Sequence, residues 1–149
     1  MPPKKRKKRI GKTNVDPFLR SINICYDADD AGRNAHFRPT SKCATMLRAL
    51  LGEEQDRSFL IVAPYGTGKS LTATYLLHLV ENRADSSSVL LDVSKRLSDV
   101  SPELGRYAAN RRKRQDRSGP VIALHGTCES LPQSLKAALL ESMGRLKLG

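Results

Sequence analysis

"SFLIVAPYGTGKSLTATYLLHLVEN", residues 58–82, is the stretch on which the reading of the whole chain turns. Its first part, Ser58 to Pro64, is a short continuous apolar run of the kind expected of a strand buried on both faces of a parallel sheet. Its last part, Leu71 to about Asn82, carries Leu71, Tyr75, Leu76 and Leu79 at helical spacing, a face suited to packing on that sheet. Between them, Ala63 to Ser70 spells A-x-x-x-x-G-K-S. An apolar strand, a glycine-rich loop and a helix in this order are the context that a phosphate-binding loop requires.

Each residue type has a physical task there. Gly66 and Gly68 permit backbone conformations closed to other residues, so consecutive N–H groups can turn inward around a phosphate. The helix that follows presents its free N–H groups and positive dipole end to the same anion. The expected nucleotide-binding residues are Ala63, Pro64, Tyr65, Gly66, Thr67, Gly68, Lys69, Ser70 and Leu71. Lys69 is the catalytic candidate, reaching the β- and γ-phosphates, and the Ser70 hydroxyl is the candidate Mg²⁺ ligand. Ala63 stands where the usual pattern has its first glycine, a mild departure, because that position accepts a small side chain while the Gly66 and Gly68 positions crowd the phosphates.

Outward from this stretch, strand and helix signals alternate. Upstream, Thr40 or Ser41 caps a helix whose Cys43, Met46, Leu47, Leu50 and Leu51 share a face, with Gly52 as its stop. Before it, "FLRSINICY" suits a short strand or helix, and "DADDAGRN" a polar turn. Downstream, Val89 to Val93 is expected as a second strand, followed by a polar helical stretch that Ser118-Gly119-Pro120 ends. Val121 to Leu124 is expected as a third strand, leading to a helix from Pro132 to Leu146 with Leu135, Ala138, Leu139 and Met143 as its apolar stripe. Three such alternations predict an α/β fold: a P-loop NTPase core forming part of a three-layer α/β/α parallel sheet. The expected organisation is a disordered basic arm at 1–16, a helical lead-in at 17–57 and an incomplete core at 58–149.

The net charge of +11 over 149 residues is unevenly spread. Seven of those charges sit in "PPKKRKKRIGK", residues 2–12, with no acid among them, which leaves the body mildly basic at +4. Such a run cannot pay its own ordering entropy and is expected to be a disordered arm. It suits weak, salt-sensitive contact with DNA or RNA phosphates, and it also matches a nuclear-import signal where the host has a nucleus. A second basic cluster comprises Arg111, Arg112, Lys113, Arg114 and Arg117, without an aromatic ladder or a recognisable recognition helix beside it. No apolar run reaches membrane-span length and no apolar segment follows the basic N-terminus, so a cytoplasmic protein with no membrane partner is expected. Cys25, Cys43 and Cys128 are odd in number and lack C-x-x-C pairing, which argues against a disulfide framework or a zinc site.

Ala63 to Ser70 resembles the Walker A motif of P-loop NTPases. More narrowly, "HFRPTSKCATMLRALL" (36–51) with "SFLIVAPYGTGKSLTA" (58–73) resembles the N-terminal ATPase region of large bacterial AAA-like proteins of antiphage-defence and restriction islands, including BREX-type systems. The resemblance implies ATP with Mg²⁺, a role in DNA transactions or phage defence, and a homo-oligomer or larger ATPase assembly. No N-K-x-D guanine-reading motif is present. ATP hydrolysis further requires a metal-holding carboxylate and an adjacent acid at a strand end, the Walker B motif. "VIAL" ends instead in His125-Gly126, and Asp92 in "VLLDV" is the remaining metal candidate, with no acid after it. The chain is therefore expected to be the amino-terminal part of a longer ATPase, competent in binding more than in turnover.

Three competing readings are weaker. "YDADDAGRNA" (26–35) resembles the D-x-D-x-A-G signature of TOPRIM domains, but that fold needs an earlier glutamate and the first here is Glu53. Asp27, Asp29 and Asp30 are thus expected to cap or solvate a turn. A small-molecule kinase would need a lid and an acceptor site, for which too little chain follows the loop. The non-enzymatic alternative is a basic nucleic-acid-associated protein using residues 4–12 and 111–117. His36, His78 and His125 are isolated histidines, suited to packing or surface roles.

Overall fold

The computed structural model describes residues 21–51, 58–114, 118–127 and 129–148. The basic arm, Gly52, Arg117 and Cys128 lie outside the described residues. The helices are α1 (Ile24–Asp27), α2 (Ser41–Leu51), α3 (Lys69–Glu81), α4 (Ser87–Val100), α5 (Pro102–Lys113) and α6 (Leu131–Leu146), with 3-10 turns at Ala31–His36 and Ala84–Ser86. Among the described residues there is no strand. The expectation of an α/β parallel sheet is therefore overturned, and the described fold is all-helical.

Each of the three expected strands departs for its own reason. Val89–Val93 is part of α4, because the period of burial is helical: Leu90, Val93, Ser94 and Leu97 are all buried, at intervals of three and four. Ser58–Pro64 is in no helix, and among the described residues no segment pairs with it as a strand. Phe59 and Ile61 are 37% and 38% exposed while Leu60 and Val62 are 90% and 84% exposed, the two-residue alternation of an extended chain with one side turned partly inward. Val121–Leu124 is likewise in no helix and pairs with no strand among the described residues, with Ile122 and Leu124 exposed. An extended chain becomes sheet only when a neighbour takes its N–H and C=O groups, and the second expected strand is wound into α4.

Several helix ends carry local signals in the sequence. Thr40 caps α2, its hydroxyl accepting from the Cys43 N–H at 3.3 Å. Asn82 ends α3 in the left-handed conformation at φ 51°, and Pro102 stands in the first turn of α5 after Ser101. Asp30 caps the 3-10 turn, accepting from the Gly32 N–H at 2.7 Å.

The core lies between α2, α3, α4 and α5. Phe37, Cys43, Ala44 and Leu47 meet Tyr75 and Leu79 of α3, Leu90, Val93 and Leu97 of α4, and Leu104 and Ala108 of α5. The lead-in and the residues after 58 thus share one core. Phe37 and Tyr75 stack at a tilt of 47° with ring centroids 5.5 Å apart. α4 and α5 approach so closely that a Cβ at Gly105 would lie 1.9 Å from Ser98 Oγ and 2.7 Å from Ser98 Cα. The apolar stripe expected on α6 is mostly exposed, since Leu135 and Leu139 face outward and only Ala138 and Ser142 of that helix are buried. No helix among the described residues is long and apolar enough to cross a membrane.

Candidate functional site

The expected phosphate loop runs from Ala63 into the first turn of α3. Gly66 and Gly68 have φ of 79° and 83°, the left-handed region in which side-chain-bearing residues are strained. A Cβ at either would meet nothing within 4 Å, so glycine is required by backbone conformation and not by crowding. Gly68 is the residue before α3 and supplies no side-chain cap. The first N–H groups of the helix have no intrahelical acceptor, and with the helix dipole they make a positive end facing the loop.

Lys69 closes the loop on itself. Its Nζ donates to Ala63 O at 2.6 Å and Pro64 O at 2.7 Å, with Thr67 Oγ1 at 3.5 Å. The Thr67 hydroxyl also donates to Pro64 O at 2.9 Å, so two side chains gather one face of the loop's carbonyls. Pro64, Tyr65, Gly66, Thr67 and Ser70 are exposed, and Ala63, Gly68, Lys69 and Leu71 are half-buried. Behind the loop, the Thr72 hydroxyl donates to Gly68 O at 2.9 Å and lies 3.4 Å from Cys43 Sγ. Burial alone pushes the Cys43 thiol up, but hydrogen bonds from the Thr40 and Thr72 hydroxyls outweigh it and its pKa is lowered. Thr72 and Cys43 thereby tie the first turn of α3 to α2, a support that motif reading passes over.

The metal candidates separate. Ser70 stands at the loop with an exposed side chain, while its carbonyl accepts from the Thr74 hydroxyl at 2.8 Å. Asp92 stands on the exposed side of α4, where its carboxylate pairs with Lys95 Nζ at 3.1 Å. Among the described residues no group of three or more His, Cys, Asp or Glu side chains is placed to hold a metal ion. The acidic turn is structural: Asp27 is buried, accepts from the Asn23 N–H at 2.8 Å and lies 3.7 Å from Arg33, while Asp29 offers its backbone carbonyl to Arg83 at 2.8 Å. His36 and His125 are exposed.

The far end of α3 holds the polar residues that sequence reading missed. Glu81 is fully buried and takes a forked pair from Arg145, whose Nε and Nη2 reach Oε1 at 2.9 and 2.8 Å. The Ser142 hydroxyl donates to the same oxygen at 3.0 Å and accepts from the Val121 N–H at 2.9 Å. Beside them Arg111 donates to the carbonyls of Leu79 and Val80, both at 3.1 Å, and Arg112 donates to the Asn82 amide oxygen. Asn82 returns its amide hydrogens to the carbonyls of Arg111 and Arg114 at 3.2 and 3.0 Å. Two of the five residues of the expected basic cluster are thus spent at a helix end, a role with no sequence signal beyond cations near a helix end.

His78 is also buried in this end. Its Nε2 lies 3.0 Å from Asp27 O; a carbonyl only accepts, so Nε2 carries the hydrogen and Nδ1 is left as a buried atom with no partner among the described residues. Burial, with Arg83 and Arg145 acting in the same direction, lowers its pKa against the opposing effect of Asp27 O and Glu81. The ring is held neutral. Compared with family models, curated proteins and solved structures, the chain matches none of them.

Proposed function

We propose that this chain binds Mg-ATP through residues 63–71. The observation that carries the reading is the conjunction at one point of two left-handed glycines, a helix N-terminus without a side-chain cap, and an ammonium already folded over the loop. Arriving phosphates would take the N–H groups of the loop and of the first turn of α3, and Lys69 would exchange its carbonyl acceptors for phosphate oxygens. That exchange replaces neutral acceptors by charged ones, which form the stronger hydrogen bonds. Mg²⁺ brought with the nucleotide would screen phosphate charge, with the Ser70 hydroxyl as the chain's ligand, in keeping with a metal that binds mostly through phosphates and water.

The resemblance of residues 36–51 and 58–73 to AAA-like ATPases supports ATP as the nucleotide and a setting in DNA transactions or phage defence, inside the cell or in the nucleus of a eukaryotic host. Binding is the proposed activity, with turnover left to an acid that this site does not itself supply. Calorimetric titration of Mg-ATP into the wild type and Lys69→Ala is the test. Binding by the wild type that weakens at least tenfold in a folded Lys69→Ala is expected. Equal affinity of the two, or no binding by a folded wild type, would overturn the reading. Asp92→Asn is expected to bind as the wild type does, because Lys95 already holds that carboxylate.

A further inference from the structure

The basic cluster at the end of α5 divides into halves with different roles. Arg111 and Arg112 turn toward the end of α3 and are committed to its carbonyls and to Asn82. Lys113 and Arg114 are exposed, and their side chains make no hydrogen bond or ion pair among the described residues. One and two turns earlier on the same helix stand Asn110 and Tyr107, the latter 40% exposed. Tyr107, Asn110 and Arg111 stand at helical intervals on α5 and so share a face, with Arg114 following at its C-cap. With Lys113 they line an open cavity of about 430 Å³, and no carboxylate lines it among the described residues.

We propose that this face of α5 binds single-stranded nucleic acid, with Lys113 and Arg114 on successive backbone phosphates and a base stacked on Tyr107. Two exposed cations select an anion, but the cavity is far larger than a phosphate ion needs and includes an aromatic ring. A phosphate joined to a flat ring fits both features. A base inside a duplex keeps its faces covered, so only an unpaired base reaches the phenol ring. Asn110 adds an amide that can donate to and accept from a base edge. The net charge of +11 attracts such a strand at long range. This site is separate from the phosphate loop, since the end of α5 lies against the C-terminal end of α3 and the loop against its N-terminal end, 13 residues or about 20 Å away.

The test is fluorescence anisotropy of a labelled oligothymidylate with the full chain over a range of salt. In Lys113→Ala/Arg114→Ala the slope of log K against log salt should fall by about 1.4, the counterion release of two single-strand phosphate contacts. Tyr107→Ala should bind roughly tenfold more weakly with its slope unchanged, the size of one lost stack, and Tyr107→Phe should bind as the wild type does. Tyr107→Leu, which keeps bulk without an aromatic face, should reproduce the loss. Wild-type affinity and slope in these variants would overturn the proposal and leave the basic arm as the nucleic-acid contact. Equal affinity for a duplex with equal sensitivity to Tyr107, or displacement of the strand by thymidine monophosphate at similar concentration, would also overturn it.

Discussion

The two ends of α3 treat their free backbone groups in opposite ways. At the C-terminal end the last carbonyls are taken: Leu79 O and Val80 O by Arg111, Val80 O also by the Gly119 N–H at 3.3 Å, with Asn82 and Glu81 held by Arg112 and Arg145. At the N-terminal end the donors point at an open loop, no side chain caps them, and the nearest cation is turned onto the loop's own carbonyls. A helix must satisfy both ends, with water, with side chains or with a ligand. Cations at the negative end are a permanent solution built from the protein. Leaving the positive end to solvent suits an anion that comes and goes. One end is an anchor and the other is the proposed receptor.

The sharpest way to break the anchor is Glu81→Gln. It leaves the Arg145 guanidinium, 8% exposed, without its counter-charge, and removing one partner of a buried pair costs about 3–5 kcal/mol. Urea denaturation should show a loss of this size, together with release of α6, which is held through Ser142 and Arg145 and buries little else. A loss under about 1 kcal/mol would mean that α6 is not anchored here. At the receptor end, Lys69→Ala should do the reverse: at least tenfold weaker Mg-ATP binding with about 1 kcal/mol of stability lost, because only the self-contacts of the loop go with it.

His78 sharpens the anchor through pH. Its folded pKa lies below the unfolded value of 6.5, so between the two values the unfolded chain binds more protons. The stability associated with this neutral ring is complete above pH 6.5 and is lost as pH falls from there toward the folded pKa, by up to about 1.4 kcal/mol per pH unit. His78→Gln should flatten that part of the profile in a series of melts, and an unchanged slope would assign it to other groups. The smallest effect is expected from Gly68→Ala. The added methyl meets no atom within 4 Å, so the cost is backbone strain alone, about 1 kcal/mol, and binding should weaken because the loop relaxes away from φ 83°. Undiminished stability and affinity in that variant would mean that the left-handed turn is not needed.

Much of the receptor end was legible in the residues. A-x-x-x-x-G-K-S specifies where positive φ is required, which N–H groups are left without acceptors and which cation is near them, all within a few residues of one another. The Thr40 cap of α2 and the capping role of Asp30 were legible for the same reason, since capping is a local bargain between neighbouring groups. Val89–Val93 was misread because five residues, four of them apolar, fit a buried strand and a helix alike. The deciding signal was the continuation of the period to Leu97, beyond the short window.

The sequence by itself determined local features: the start of α2 at Thr40, the left-handed glycines, the loop that ends at the first turn of α3, and the concentration of charge at residues 4–12. Only the tertiary structure decided that, among the described residues, Ser58–Pro64 and Val121–Leu124 find no strand partner, that Arg111 and Arg112 are spent on α3, that Glu81 meets Arg145, and that Tyr107, Lys113 and Arg114 line one cavity. The physical reason is sequence distance. Torsion angles and caps depend on residues within a turn of each other, whereas a strand's partner, a carbonyl's donor and a buried charge's counter-ion come from residues tens of positions away. Their identity depends on how the helices pack.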